Sequence, residues 1–187
     1  IANTYGRFNV CFEKGKGSLL WDVEGKEYID LGSGIGVTAF GVDDDEWSKA
    51  VIAQTHALNH ISNLYYSVPQ IKLAEMLCKQ TGMKKVFFCN SGAESNECAI
   101  KAARKYSHDK YGDGRNVIVT LVNSFHGRTV TTLSATGQDV FHQHFFPFTE
   151  GFVHTPANDI DAALKVLANP AVCAIMMEPI QGEGGVM

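Results

Sequence analysis

The sequence predicts an α/β protein whose sheet is mostly parallel and is flanked by helices. From Lys84 onward, continuous apolar runs of strand length alternate with segments of helical periodicity. Strands buried on both faces of a parallel sheet have this continuous apolar character, and the helices supply the crossover connections. The predicted strands are residues 85–90, 116–123, 151–156 and 172–180.

The composition is that of an ordinary globular protein. The chain has 187 residues, of which 45% are hydrophobic and 19% charged, and its net charge is -4 with no block of like charge. This pattern gives no support to nucleic-acid or membrane-surface binding. Five cysteines without metal-type spacing favour reduced thiols, so we expect a cytoplasmic protein.

The segment before Lys84 is predicted to hold a hairpin and two helices. Residues 17–34 contain two alternating apolar–polar runs around a Glu24-Gly25 turn, which is typical of a β-hairpin. One helix is predicted to begin at the acidic residues 43–46, because the positive end of the helix dipole favours them. Another is predicted from Pro69, an accepted first-turn residue, to near Gly82.

Two helices are predicted between the strands of the later segment. In the first, Ser91 and Glu94 have the spacing of a capping box, which predicts a helix start at Ser91. Its predicted core stripe is Ala99, Ala102, Ala103 and Tyr106, with a Glu97–Lys101 ion pair on the surface. The second helix, within residues 158–169, has one apolar face and is stopped by Pro170.

The Ser91 corner has a structural and a functional interpretation, and the residues alone leave both open. Capping alone accounts for Ser91 and Glu94. However, ligands of open α/β sheets bind beyond the carboxyl ends of the strands, and phosphates favour helix N-termini. Gly92 and Ala93 are small enough to let one phosphate approach the free amides, although the Glu94 carboxylate would repel it unless it turns aside. No Walker loop or dinucleotide fingerprint is present at this corner.

A second candidate site follows the next predicted strand. Phe125 is expected to be exposed there, where it can cover a flat heteroaromatic ring. Arg128 offers a planar fork that suits a carboxylate. The alternative is that Phe125 packs inward and Arg128 pairs with a surface acid.

A third candidate site lies after the last predicted strand. Glu178 and Glu183 flank a turn at Pro179, so they are either an acid–base pair or part of a solvated glycine-rich loop. His142 and His144 have a metal-like spacing, but no third ligand accompanies them, and we expect no metal.

Four motifs together resemble those of the class III (ornithine/4-aminobutyrate type) pyridoxal-phosphate aminotransferases, in order and in spacing. They are LWDVEGKEYIDLGSGIGV (20–37), FFCNSGAESNECAIKAAR (87–104), SFHGRTVTTLSATG (124–137) and EPIQGEGG (178–185). The resemblance implies a pyridoxal-phosphate fold type I large domain, incomplete, in residues 46–187. Residues 1–45 would be an N-terminal segment of the small domain.

The resemblance also implies a role for each candidate residue. Ser91, Gly92 and Ala93 would hold the phosphate of pyridoxal 5'-phosphate, and Phe125 would stack on its pyridine ring. Arg128 would bind the substrate α-carboxylate, and Glu183 would be the gating carboxylate beside that site. His126 is expected to support the loop, and Glu178 is assigned no chemistry.

The resemblance implies that two further functional residues are missing. The family's aspartate for the pyridine nitrogen and its Schiff-base lysine would lie after Met187, and no lysine of this sequence has a matching context. We therefore expect residues 1–187 to be the N-terminal part of an enzyme and to be inactive alone. The sequence also departs from the family at residues 42–45, where a His-Pro helix start is common.

The reaction implied is amino transfer from N2-acetylornithine to 2-oxoglutarate in arginine biosynthesis, by a homodimer. Ile35 favours an acylated donor, because the resemblance to ornithine-specific members would place a polar tyrosine at that position. The alternative donors are ornithine, succinylornithine and 4-aminobutyrate. A different alternative is a non-catalytic module that binds phosphorylated ligands or a partner chain.

Overall fold

The computed structural model describes residues 1–187, which divide into two compact units, Ile1–Met76 and Leu77–Met187. The division falls within a helix. The predicted boundary at residue 45 concerns a different question, namely which residues belong to the small and large domains of a larger enzyme. That boundary stays a prediction.

The N-terminal unit begins with a three-stranded antiparallel sheet. Its strands are β1 (Phe12–Lys16), β2 (Leu19–Asp22) and β3 (Glu27–Ile29), in the order β1-β2-β3. The predicted hairpin is confirmed as β2 and β3, which pair on either side of the Glu24-Gly25 turn. Asp22 closes this turn, because its carboxylate accepts hydrogen bonds from the Glu24 and Lys26 amides. Strand β1 was not predicted.

Two helices follow this sheet, as predicted. Helix α1 spans Asp45–Leu58, and the carboxylate of Asp44 caps it by accepting a hydrogen bond from the Trp47 amide. Helix α2 spans Val68–Thr81 and is followed by Gly82 at a φ of 73°. That left-handed conformation is one glycine adopts without steric cost, so Gly82 suits the end of the helix.

The C-terminal unit is built on a parallel sheet, which confirms the predicted α/β class. Strand β4 (Val117–Leu121) lies between β5 (Phe152–Thr155) and β6 (Val172–Ile175) and pairs with both in parallel. The α-helices of this unit after α2 are α3 (Gly92–Tyr111), α4 (Val130–Ala135) and α5 (Ile160–Leu167). Helix α4, of six residues, was not predicted.

The buried apolar residues of this unit lie on α3, β4, α4 and β6. Ile118, Val119 and Ile100 are almost fully buried, with 1%, 1% and 2% of their surface exposed. Helices α3 and α4 contact each other, α3 contacts β6, and α5 contacts β5. None of the helices combines the length and the apolar character that crossing a membrane requires.

The prediction of a strand over residues 85–90 is wrong for this chain. Those residues are assigned to no strand, and 62% of the Phe87 side chain is exposed. An apolar run becomes a strand only when a neighbouring strand takes up its backbone hydrogen bonds. The three parallel strands pair with one another and leave this run without a partner.

The predicted core stripe of α3 is also wrong for three of its four residues. Ala99 and Ala102 are exposed, and Tyr106 is 61% exposed. The helix instead buries Ile100 and Ser107, seven residues apart. Ser107 can face the interior because its hydroxyl donates to the Arg115 carbonyl at 2.7 Å, which satisfies the buried polar group.

Candidate functional site

The start of α3 exposes hydrogen-bond donors as the Ser91 motif predicts. Ser91 is the N-cap, and its hydroxyl accepts a hydrogen bond from the Glu94 amide at 3.2 Å. The Gly92 and Ala93 amides donate to no acceptor in the chain, as expected of the first amides of a helix. A Cβ added to Gly92 would meet no atom within 4 Å, so Gly92 itself is not crowded by other parts of the chain.

Glu94 does not close the capping box in the predicted way. Its carboxylate accepts hydrogen bonds from the main-chain and side-chain amides of Asn90, one residue before the cap, rather than from the cap amide itself. This contact holds the carboxylate at Asn90. The Ser91 amide is left unpaired along with those of Gly92 and Ala93.

Three contacts join the start of α3 to the loop that follows β4. The Asn96 side chain donates to the His126 carbonyl at 2.8 Å. The Thr129 hydroxyl donates to the Glu97 carboxylate, so Glu97 does not form the predicted ion pair with Lys101. Through these bonds the helix holds both halves of the loop.

The third contact is a close approach of backbones at Gly127. This residue has a φ of 132°, and a Cβ placed on it would lie 2.8 Å from the Ala93 Cβ. Only glycine fits such a position without strain. The small side chain of Ala93 therefore allows the two segments to meet.

Phe125 and Arg128 lie together, but their environment differs from both predicted alternatives. Phe125 is half-buried rather than exposed, and its ring meets that of Phe141 edge-on at 5.5 Å. The Arg128 guanidinium is 5.6 Å from the centre of the Phe125 ring and 4.7 Å from that of Phe141. No carboxylate lies within ion-pair distance of it. Arg128 is thus exposed, stacked on aromatic rings and free to bind an anion.

An apolar cavity of about 390 Å³ opens beside Arg128. Helix α4 and the segment after it form its walls. Its other lining residues are Val130, Leu133, Val140, Phe141, Phe145 and Phe146. A single cation among apolar walls suits a small ligand that carries one carboxylate and an apolar portion.

The loop after β6 is tied to the same region by three carboxylate and amide side chains. Glu178 accepts a hydrogen bond from the Phe125 amide at 3.0 Å. Glu183 accepts one from the Gln138 side chain, which also donates to the Ser124 carbonyl. Gln181 donates to the Val122 carbonyl at 2.9 Å. The structure thus brings the second and third candidate sites together.

Sequence reasoning missed several residues that hold this region together. Asn96, Gln138 and Gln181 each bond a main-chain carbonyl that is 14 or more residues away in the sequence. Nothing in their local pattern marks them, because an amide side chain on a helix or loop is usually solvated. Only the parallel pairing of β4 and β6, which places their carboxyl ends side by side, indicates that the two loops meet.

His126 lies within this loop and supports it from inside, as expected. It is 4% exposed, its amide donates to the Thr136 hydroxyl at 2.9 Å, and its Nε2 atom has no partner. Burial lowers the pKa of His126, as it does that of His154 on β5. His142 bonds the Leu133 carbonyl through its ring, while His144 is exposed.

Comparisons with known proteins indicate one family. The model of the family described as aminotransferase class III matches residues 1–187. The acetylornithine aminotransferase of Haemophilus ducreyi is 57% identical over 186 residues, which is 100% of this chain and 47% of that protein. The chain spans about half the length of the curated relatives it matches.

Two solved structures illustrate the likeness of the fold. The ornithine aminotransferase from Toxoplasma gondii ME49 matches with a TM-score of 0.92 and 30% identity, over 100% of this chain and 44% of that one. The N-acetylornithine aminotransferase from Stenotrophomonas maltophilia K279a matches with a TM-score of 0.80 and 38% identity, over 98% of this chain and 45% of that one.

Proposed function

The chain belongs to the class III aminotransferase family, and we propose that it provides the phosphate-binding and carboxylate-binding part of a pyridoxal-phosphate-dependent aminotransferase. The observation that carries the proposal is the group of unpaired amides at the start of α3, joined by direct contacts to the Phe125 loop. In this proposal residues 1–45 belong to the small domain and residues 46–187 to the large domain.

The α3 corner suits the cofactor phosphate. Three unpaired amides, an exposed serine hydroxyl and the positive end of a 20-residue helix all favour an anion. Ser91, Gly92 and Ala93 would hold the phosphate there. Pyridoxal phosphate, when bound, supplies an electron sink for the carbon that carries the amino group.

Phe125 would cover one face of the cofactor ring. Its loop is held by side chains of α3 and by the loop after β6, so the ring is carried on a fixed backbone. Its contacts with Phe141 and Arg128 restrict its rotation further. A ring that is held before the ligand arrives loses little entropy on binding.

Arg128 would bind the carboxylate of the amino-acid substrate. Its guanidinium has no acidic partner in the chain, and Arg128 lines an apolar cavity. A planar fork of donors matches a carboxylate through two parallel hydrogen bonds. Glu183, held by Gln138, would lie at the border of this site.

The substrate pair we propose is N2-acetylornithine and 2-oxoglutarate, as in arginine biosynthesis, in a cytoplasmic homodimer. The relatives named acetylornithine aminotransferase support this choice. The apolar Ile35 and the apolar cavity beside Arg128 also suit an acylated donor. The likeness to an ornithine aminotransferase supports free ornithine as the second candidate donor.

Binding of a non-reactive cofactor analogue tests the proposal. Pyridoxine 5'-phosphate has the ring and the phosphate but no aldehyde, so it cannot react with stray lysines. We expect the chain to bind it, with the affinity lowered about tenfold in Ser91→Ala, because one hydrogen bond to a charged group is lost. Titration followed by phosphorus NMR measures this. If Ser91→Ala and Gly92→Val both bind pyridoxine 5'-phosphate as tightly as the unsubstituted chain does, the phosphate lies elsewhere.

A second measurement addresses the donor. Ligand-observed NMR of the chain saturated with pyridoxine 5'-phosphate compares N2-acetylornithine, ornithine and 4-aminobutyrate. We expect N2-acetylornithine to bind most tightly, and we expect Arg128→Gln to weaken the binding of all three compounds, because each loses the partner of its carboxylate. Preference for ornithine would favour the second candidate.

A further inference from the structure

We propose that Glu178 is a positioning residue that sets the orientation of Phe125, an inference that rests on the proposed role of Phe125 as the cover of the cofactor ring. The carboxylate of Glu178 accepts a hydrogen bond from the Phe125 amide at 3.0 Å. No other acceptor in the chain binds this amide. The two residues lie 53 positions apart, one in the loop after β6 and the other in the loop after β4.

The neighbouring main-chain groups are held in the same way by other elements. The His126 amide donates to the Thr136 hydroxyl at 2.9 Å, and the His126 carbonyl accepts from the Asn96 side chain at 2.8 Å. Three segments of the chain therefore hold the backbone of Phe125 and His126 by hydrogen bonds. Glu178 is the only charged member of this group.

The charge of Glu178 is not explained by an ion pair. Its side chain is half-buried, and no lysine, arginine or histidine lies within ion-pair distance. Desolvating a carboxylate is costly unless a donor replaces water. The Phe125 amide is its only hydrogen-bond donor in the chain, and an amide bonds an ionised carboxylate more strongly than a neutral oxygen.

The position of the Phe125 ring follows from this bond. A side chain leaves the backbone in a direction that is set by φ and ψ at its own residue. If the amide were released, the peptide before Phe125 could rotate, and the ring would lose its fixed place against Phe141. The Ser91 corner belongs to another element and would keep its free donors.

Two independent readouts test the inference in the complete 187-residue chain. Amide hydrogen exchange at Phe125, followed by NMR without any ligand, reports the hydrogen bond itself. Titration with pyridoxine 5'-phosphate and, separately, with inorganic phosphate reports its consequence for the ring. The variants are Glu178→Ala and Glu178→Gln. The control is Glu150→Ala, whose exposed carboxylate makes no hydrogen bond.

In Glu178→Ala we expect exchange at Phe125 to rise about tenfold and pyridoxine 5'-phosphate to bind about tenfold more weakly, each matching the loss of one charge-assisted hydrogen bond. Inorganic phosphate should bind with unchanged affinity, because it does not contact the ring. Glu178→Gln keeps an acceptor oxygen, so it should retain most of the protection of the Phe125 amide from exchange and most of the affinity for pyridoxine 5'-phosphate. The Glu150→Ala control should match the unsubstituted chain.

Unchanged amide exchange at Phe125 in Glu178→Ala would overturn the inference, whatever the affinity of that variant for pyridoxine 5'-phosphate. An equal loss of affinity for both ligands would also overturn it, since that result indicates general loosening of the fold. Failure of the unsubstituted chain to bind pyridoxine 5'-phosphate would instead overturn the proposed function. The exchange measurement distinguishes the two failures because it needs no ligand.

Discussion

Two helix starts in the C-terminal unit use the same capping chemistry with opposite results. At α4 the Thr129 hydroxyl accepts from the Thr132 amide while the Thr132 hydroxyl accepts from the Thr129 amide, so the capping box is complete. At α3 the Ser91 hydroxyl caps Glu94, but Glu94 turns to Asn90. The start of α4 uses its donors within the fold, whereas the start of α3 leaves its donors unpaired.

The starts of α4 and α3 also differ in burial. Thr132 is completely buried, whereas Ser91 and Gly92 are exposed. A buried cap must be complete, because an unpaired donor away from water costs about 1–3 kcal/mol. An exposed cap can remain open, since water satisfies its amides until an anion replaces it. An incomplete capping box at the surface is therefore a better sign of a binding site than the presence of a cap.

The largest expected effect on stability is that of a substitution at Gly127, which lies close to the starts of both α3 and α4. In Gly127→Ala the added Cβ would lie 2.7 Å from the Thr132 hydroxyl and 2.8 Å from the Ala93 Cβ, at a φ of 132°. Overpacking and a strained backbone together cost roughly 2–5 kcal/mol of the free energy of unfolding. Urea denaturation measures this loss.

The matched control is Gly92→Ala at the open corner. A Cβ there meets nothing within 4 Å, so we expect stability to be unchanged or raised by up to about 1 kcal/mol through helix propensity. If both glycine variants lost the same stability, the two corners would not differ in packing as described.

The next largest effect on stability is expected when one hydroxyl is removed at each of the two helix starts. Thr132→Val keeps the shape of the side chain but leaves the Thr129 amide without its partner, so we expect a loss of about 1–3 kcal/mol. Ser91→Ala removes an exposed cap and should cost about 1 kcal/mol or less.

Ligand binding should respond in the reverse order. Ser91→Ala should weaken the binding of pyridoxine 5'-phosphate, and Thr132→Val should leave it unchanged under conditions where the chain is folded. Thermal denaturation and titration, carried out on the same two variants, measure both responses. Equal changes in binding would remove the distinction between a cap used by the fold and a cap kept for a ligand.

The smallest expected effect concerns pH and the buried ring of His126, which lies in the loop that joins the corners. Burial lowers its pKa, the charge of Glu178 acts in the opposite direction, and the neighbouring His154 adds to the lowering. Because the unfolded chain then binds more protons, stability falls as the pH drops through the unfolded-state pKa of about 6.5, and the loss stops growing below the folded-state pKa.

His126→Gln should therefore flatten the dependence of stability on pH between about 6.5 and 5. Denaturation at pH 8 provides the reference, because there the difference between the variant and the unsubstituted chain reflects packing alone. His154→Gln should act in the same direction, since burial lowers the pKa of His154 too. A slope that is unchanged in both variants would contradict this expectation.

Local patterns were enough to predict most of the helices and strands. The Glu24-Gly25 turn, the acidic start of α1 and the serine cap of α3 each act within a few residues, and each was confirmed. The same holds for the apolar runs that became β4, β5 and β6. The free donors of the Ser91 corner follow from its helix start, so this part of the candidate site was also predictable.

Contacts distant in sequence were not predictable, and they account for the errors. Residues 85–90 pair with no strand of the sheet, and an apolar run by itself does not show whether such a pairing exists. The inward face of α3 includes Asn96 and Ser107, because main-chain carbonyls of other segments bond their side chains. A pattern based on apolar residues alone places such polar residues outside.

By itself the sequence determined the α/β alternation, the helix that begins at Ser91 and membership of the aminotransferase family. Only the tertiary structure decided that Glu178 bonds the Phe125 amide, that Arg128 stacks on two aromatic rings, and that Glu97 binds Thr129 rather than Lys101. The physical reason is one of range. Propensities and caps depend on neighbouring residues, whereas these bonds exist only once parallel strands have brought their carboxyl ends to the same edge of the sheet.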